Sequence, residues 1–316
     1  MSYRKLSTIC DMNRILIIGA GELGTQVLRS LIQHPLGQNA TVSVLLRSGT
    51  IDSTDPLKQR DVQSLREMGV NLVPGDIVHD QESALISIFA GYDTIIGCTG
   101  FVSGKGTQVK VTFAVLAAKS ARYIPWQFGV DYDIIGRGSA QDLFDEQLDV
   151  RDILRSQETT RWAIISTGMF TSFLFAPSFG VVDIDNATVC ALGSWENRVT
   201  ITTPEDIGKF TAEIVLGKDS DTLISNQVIL VGGDTITYGE LAQLVERLAQ
   251  KPFQKRVLMV TAAQAALGQD PNNGILKYQL VFGQGRGVAW DLGETWNFKQ
   301  NITAQTAEEW AKENLV

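Results

Sequence analysis

Residues 14–18 (RILII) form a short apolar run that leads straight into Gly19-Ala20-Gly21-Glu22-Leu23-Gly24. That hexapeptide in turn opens an amphipathic stretch over 22–33, with Leu23, Val27, Leu28, Leu31 and Ile32 on one side. A bare GxGxxG says little. Between an apolar strand and a helix, with a second strand starting roughly 20 residues on, it marks a dinucleotide-binding βαβ unit. Gly19 turns the chain sharply, Gly21 lets backbone approach a diphosphate, and Gly24 lets helix pack on strand. Free N–H groups and the positive end of the helix dipole then face the phosphates. Gly19, Gly21, Glu22, Leu23 and Gly24 are therefore expected at the diphosphate.

The same rhythm continues to about residue 165. Strand-like runs at 41–46, 70–73, 93–97, 122–124 and 162–166 alternate with helical stretches at 59–68, 81–89, 108–120 and 141–156. Strands separated by helices imply right-handed crossovers and a parallel sheet. After Gly168 the pattern changes: Gly, Thr, Phe and Trp become frequent, with strand-like pieces at 198–202 and 227–231. A helix is expected over 238–248, Thr237 and Glu240 forming its capping box. A further helix over 303–314 is expected to pack through Trp310. The chain has 316 residues, about twice a typical domain of roughly 150, and no Pro/Ser-rich linker divides it. The expected fold is α/β: a doubly wound parallel Rossmann sheet with a smaller interleaved C-terminal substrate lobe. Residues 1–167 make the nucleotide-binding part, 202–217 return to it, and the rest of 168–316 forms the lobe.

The end of the second strand decides the nucleotide. A chain that binds NAD(H) usually places Asp or Glu there to accept from the ribose 2′-OH. No acidic residue lies between Glu22 and Asp52, and the strand ends in Leu46-Arg47-Ser48-Gly49-Thr50. A guanidinium pairs with a 2′-phosphate, and Ser48 or Thr50 adds a hydroxyl. NADP(H) is therefore the expected cofactor. Lys58 is either a second cation for that phosphate or a solvated lysine. Asp76 is either the turn over the adenine or a helix N-cap. Thr99 and Gly100 end the fourth strand, where a doubly wound sheet presents its crevice. Cys98 beside them is expected to pack in the core.

Composition removes other classes. Twenty-seven Lys and Arg against 35 Asp and Glu give a net charge of −8, unlike a nucleic-acid-binding surface. Cys10, Cys98 and Cys190 are scattered and His34 and His79 are the two histidines, so neither a metal site nor a disulfide framework is expected. Both histidines fall in loop-like contexts and are read as solvated. The N-terminal MSYRKLSTICDMN lacks the apolar core of a signal peptide, and no apolar run approaches a membrane span. A cytoplasmic protein, monomeric or homodimeric, is the expectation.

Residues 70–76 (VNLVPGD), 121–131 (ARYIPWQFGVD), 144–154 (FDEQLDVRDIL), 165–170 (ISTGMF), 203–209 (TPEDIGK) and 236–246 (ITYGELAQLVE) share their order and spacing with one family. Together they resemble the NmrA-like group of atypical short-chain dehydrogenases, in the branch of isoflavone, pinoresinol and phenylcoumaran benzylic ether reductases. The resemblance implies an NADPH-dependent reductase acting on an aromatic, phenylpropanoid- or quinone-like compound. It places Gln127 and Phe128 at the nicotinamide, and Phe101, Trp126, Gly168, Met169 and Phe170 around the substrate. Three departures stand out. The glycine turn is one residue shorter than the family's GxxGxxG, and the family's Ser-Glu pair is Trp126-Gln127. The family's catalytic lysine, four residues before an arginine, falls on Gln147 before Arg151. Its amide can orient a carbonyl or hydroxyl but cannot titrate. No Tyr-x-x-x-Lys is present, which leaves Lys105, Tyr132 or water as proton donors. The second reading is a non-catalytic NADP(H)-sensing regulator of the NmrA type.

Overall fold

The computed structural model of the protein describes residues 13–315, without the Val102 side chain. The polar N-terminal stretch, with Cys10, lies outside the described residues. Strands β1 (Asn13–Ile18), β2 (Ala40–Leu46), β3 (Asn71–Pro74), β4 (Thr94–Gly97), β5 (Arg122–Ile124) and β6 (Arg161–Ser166) join in the order 3-2-1-4-5-6, all parallel. The reason lies in β1. Ile15 and Ile17 bury themselves on one face of the sheet, Leu16 and Ile18 on the other. A strand covered on both faces has to be apolar throughout, and a parallel sheet with helices on both sides is what covers it. Each of those side chains is essentially inaccessible and contributes roughly 1.5–3 kcal/mol.

The smaller lobe begins with β7 (Met169–Phe170), which pairs in parallel with β10 (Arg198–Thr202). A separate sheet is made by β8 (Val182–Asp183), β9 (Thr188–Leu192) and β13 (Gln254–Leu258), while β12 (Asp234–Thr237) flanks β10 antiparallel. One strand departs from the sequence reading. Residues 227–231, read above with the lobe, supply β11 (Gln227–Leu230), a seventh strand of the main sheet beside β6. The apolar run Val228–Ile229–Leu230 fits that position as well as any in the lobe, because a local apolar pattern does not name its partner strand.

Helix Pro204–Leu216 lies against helix Glu22–Gln33. Gly208 makes the contact possible: a Cβ there would sit 2.6 Å from the Gln26 carbonyl oxygen. His34 is not solvated, in contrast to its sequence reading. It caps the first helix, accepts from the Leu36 N–H at Nδ1 and faces Glu213 at 2.9 Å through Nε2. Trp310 stacks on Phe175 with ring centroids 5.0 Å apart, anchoring helix Ala307–Asn314. No helix among the described residues is long and apolar enough to cross a membrane.

Helix Leu143–Arg155 is tied to helix Thr107–Ala117 by a buried carboxylate. Glu146 accepts from the N–H groups of Gly106 and Gln108, both at 2.8 Å, and from Val109 at 3.3 Å. The helix carries no cap of its own, so this residue satisfies its open N–H groups. Glu146→Ala is expected to cost about 1.5–3 kcal/mol in a urea titration, as for loss of hydrogen bonds to a charged group. A loss below about 0.5 kcal/mol would show that water caps that helix equally well.

Candidate active site

The chain reverses its winding between β1 and β4, and in a doubly wound sheet that switch point opens a crevice at the strands' C-terminal ends. Gly19 follows β1 at φ +91°, a left-handed conformation that glycine adopts readily. A Cβ at Gly19 would stand 2.5 Å from Thr99 Cγ2, and one at Gly24 would collide with the Gly19 carbonyl oxygen. Gly21 differs. A Cβ there would meet nothing within 4 Å, and the helix that starts after it has no side-chain cap. Space and unclaimed N–H groups thus coincide where a diphosphate is expected.

Gly19, Ala20, Arg47, Thr50, Asp76 and Thr99 line a crevice of about 400 Å³. It is continuous with a second hollow of about 570 Å³, where Arg47, Ser48 and Lys58 meet Asp76. The side chains of Arg47 and Lys58 are exposed and form no hydrogen bond or ion pair among the described residues. Two free cations, one just after β2 and one in helix Pro56–Glu67, border this hollow. The Asp76 carboxylate accepts from the N–H groups of Val78 and His79 and from the His79 ring. It shapes a turn and not the helix N-cap offered as one alternative. Burial works against ionisation of Asp76, but the hydrogen bonds from His79 and Val78 outweigh it and hold its pKa below the usual range.

A cavity of about 280 Å³ adjoins this crevice. Phe101, Trp126, Gly168, Met169 and Phe170 all line it, as do Glu22 and Phe128. Gly168 stands at φ +74°, and a Cβ on it would strike the Thr200 carbonyl; this bend brings β7 to the cavity wall. Phe101 meets Trp126 edge-on at 4.6 Å. Glu22 reaches across to the lobe and accepts from Ser172 Oγ at 2.8 Å. Leu23, by contrast, packs in the core, so only its backbone faces the turn. Cys98 is buried, and burial pushes its thiol pKa up, so it stays protonated.

Two expected site residues are corrected, and a third does not reach the cavity lining. Gln127 is fully buried, its Nε2 donating to the Gln147 carbonyl and its Oε1 accepting from Arg151 Nε. Its amide is thereby committed to helix Leu143–Arg155 and is not offered to a nicotinamide. Gln147, expected to orient a carbonyl, is wholly inaccessible, does not line the cavity, and has both amide atoms without a partner among the described residues. Lys105 stands exposed on the loop Gly104–Gly106, away from the cavity lining. Of the three proton-donor candidates, Tyr132 is the one in the cavity wall. Sequence reasoning missed Phe144, Tyr278 and the buried Arg151. Phe144 and Arg151 sit within the quoted 144–154 segment, yet nothing in their spacing says that one faces a cavity and the other is buried against Gln127 and Asp133. Tyr278 follows in helix Gly274–Gln284 and carried no signal.

A wider groove of about 770 Å³ runs farther along helix Glu22–Gln33, where Glu205 accepts from Gln26 and Glu213 faces His34.

The family described as NmrA-like matches residues 11–295. An NmrA-like family domain-containing oxidoreductase of Gibberella moniliformis is 43% identical, covering 96% of this chain and 99% of the relative. An isoflavone reductase homologue of Arabidopsis thaliana is 26% identical over 78% of this chain and 77% of its own. Among solved structures, the binary complex of leucoanthocyanidin reductase with NADPH from Vitis vinifera superposes with a TM-score of 0.78 at 20% identity, covering 95% of this chain and 99% of that one.

Proposed function

We propose that this chain, which belongs to the NmrA-like family, is an NADPH-dependent reductase of a flat aromatic small molecule. One observation carries this reading. A cradle with room at Gly21 and two unpaired cations, Arg47 and Lys58, lies along the same sheet edge as an aromatic cavity. The residues fit a phosphorylated dinucleotide. The backbone of the Gly19–Gly24 turn would hold the diphosphate, and Arg47 with Ser48 and Lys58 the 2′-phosphate. When bound, such a cofactor supplies the hydride. The chain's own side chains do the rest: Trp126, Phe101 and Phe170 stack a planar ligand, and the apolar walls exclude water from it.

Fluorescence titration tests the cofactor. Wild-type protein is expected to bind NADPH about ten-fold or more tighter than NADH, and Arg47→Ala to erase the difference, about 1.4 kcal/mol of charge-assisted pairing. Equal affinities in the wild type would overturn the assignment. Loss of NADPH absorbance with quinones, aromatic enals and benzylic ethers tests turnover. The absence of a titrating side chain at Gln147 favours the second reading, an NADP(H) sensor; tight NADPH binding without turnover of any acceptor would establish it.

A further inference from the structure

Tyr132 is 2% exposed, yet it lines the aromatic cavity. Its hydroxyl has no hydrogen-bond partner among the described residues. A Cβ at Gly129 would stand 2.8 Å from that oxygen, so the hydroxyl rests against the Gly129 backbone. The Gly129 carbonyl accepts from Thr167 at 2.9 Å and Gly168 at 3.0 Å. The phenol therefore points into the seam where the loop after β5 meets the segment leading to β7. Its oxygen stays accessible, unlike the enclosed and unpartnered Tyr238 hydroxyl.

The ring behind that hydroxyl is fixed. Phe144 meets it edge-on at 5.0 Å, and the Arg151 guanidinium lies over its face at 5.3 Å from the centroid. Arg151 is wholly buried, donating to Gln127 at 2.8 Å and to Asp133 at 2.6 Å. Burial pushes the Tyr132 phenol above its ordinary pKa, aided by Tyr278 and opposed by Arg151, so it is protonated at neutral pH.

We infer that Tyr132 is the catalytic proton donor where the lysine is missing, its hydroxyl hydrogen-bonding the oxygen of a carbonyl-bearing aromatic substrate. The inference rests on the reductase reading above. The hydride pair of the dihydronicotinamide forms the new C–H bond at the carbonyl carbon, and the dihydronicotinamide is oxidised. The C=O π pair moves to oxygen, which takes the Tyr132 proton and becomes an alcohol. The phenolate left behind faces the Arg151 cation across its ring and regains a proton from water at the cavity mouth. Tyr278 also borders the cavity, but its ring packs on Phe144 and Phe173 with no cation against it.

Binding separates this role from a packing role. trans-Cinnamaldehyde and trans-β-methylstyrene share a carbon skeleton and differ by the carbonyl oxygen. Both are titrated by tryptophan quenching with saturating NADP⁺, which carries no hydride. Wild type and Tyr278→Phe are expected to bind the aldehyde about ten-fold tighter than the hydrocarbon. Tyr132→Phe is expected to bind the two equally, with hydrocarbon affinity and melting temperature unchanged, because the lost hydroxyl has no protein partner. A preference that survives in Tyr132→Phe, or that is absent from the wild type, overturns the inference while NADPH selectivity leaves the cofactor reading standing. A wild type without NADPH selectivity fails that reading instead.

Discussion

Gly21→Ala is expected to leave the fold intact and weaken NADPH binding about a hundred-fold, the loss of close backbone approach to a diphosphate. The two halves of this result have separate causes. Gly21 stands at φ −76°, ψ −161°, which alanine adopts freely, and a Cβ there would touch no atom of the protein within 4 Å. Folding therefore has nothing to lose, and removing glycine from the unfolded ensemble gives a slight gain. The methyl group instead occupies space that only a ligand would claim. Gly24→Ala is the contrast: its Cβ collides with the Gly19 carbonyl and comes within 3.3 Å of Cys98 Cβ, so both stability and binding fall. Calorimetric melting and fluorescence titration of the two proteins separate the cases. An alanine at position 21 that binds NADPH as the wild type does would remove the glycine turn from the cofactor site.

Arg151→Met is the second large effect. The side chain is wholly inaccessible and donates to Gln127 and Asp133, with Asp131 at 3.7 Å. Removing it leaves Gln127 Oε1 buried without its donor and strips charge from around Asp133. Leaving a buried acceptor without its donor typically costs about 1–3 kcal/mol, and urea denaturation is expected to show a loss in the upper part of that range. Arg155 supplies the comparison. It pairs with the same carboxylate at 2.6 Å but is half-exposed, so Arg155→Ala should cost no more than about 1 kcal/mol. Equal losses from both would mean that burial of Arg151 does not govern its contribution.

The same cluster sets a pH dependence. The hydrogen bond from Arg155 holds the Asp133 carboxyl below its ordinary pKa, burial opposes this, and Arg151 adds to the lowering. A carboxyl depressed in the folded state contributes stability above its unfolded pKa and loses it as pH falls through the folded one. Wild-type stability should accordingly decline below the usual carboxylate range, with a shallower decline in Arg151→Met.

The legible parts of the chain were those whose cause is local. The bounds of helix Glu22–Gln33 and of strands β5 and β10 coincide with their apolar periodicity. The capping box of Thr237 and Glu240 forms because its partners stand three residues apart on one chain turn. Helix Thr107–Ala117 is capped by Glu146, 40 residues beyond Gly106, and no spacing rule reaches that far. Gln127 and Gln147 were misplaced for a related reason: position in a motif fixes where a side chain begins, while packing fixes which atoms it can still offer.

By itself the sequence determined the apolar β1 run, the glycine turn behind it and the cationic residue ending β2. These depend on backbone sterics, pleat and charge within a few residues. The tertiary structure decided the site beyond the turn. Tyr132, Phe144, Phe173 and Tyr278 come from four separate segments and meet only once the smaller lobe closes on the main sheet. Burial then commits Gln127 and Arg151 to each other and leaves the Tyr132 hydroxyl free. A hydrogen bond needs both partners within about 3 Å, and for groups distant in sequence only the packed fold supplies that distance.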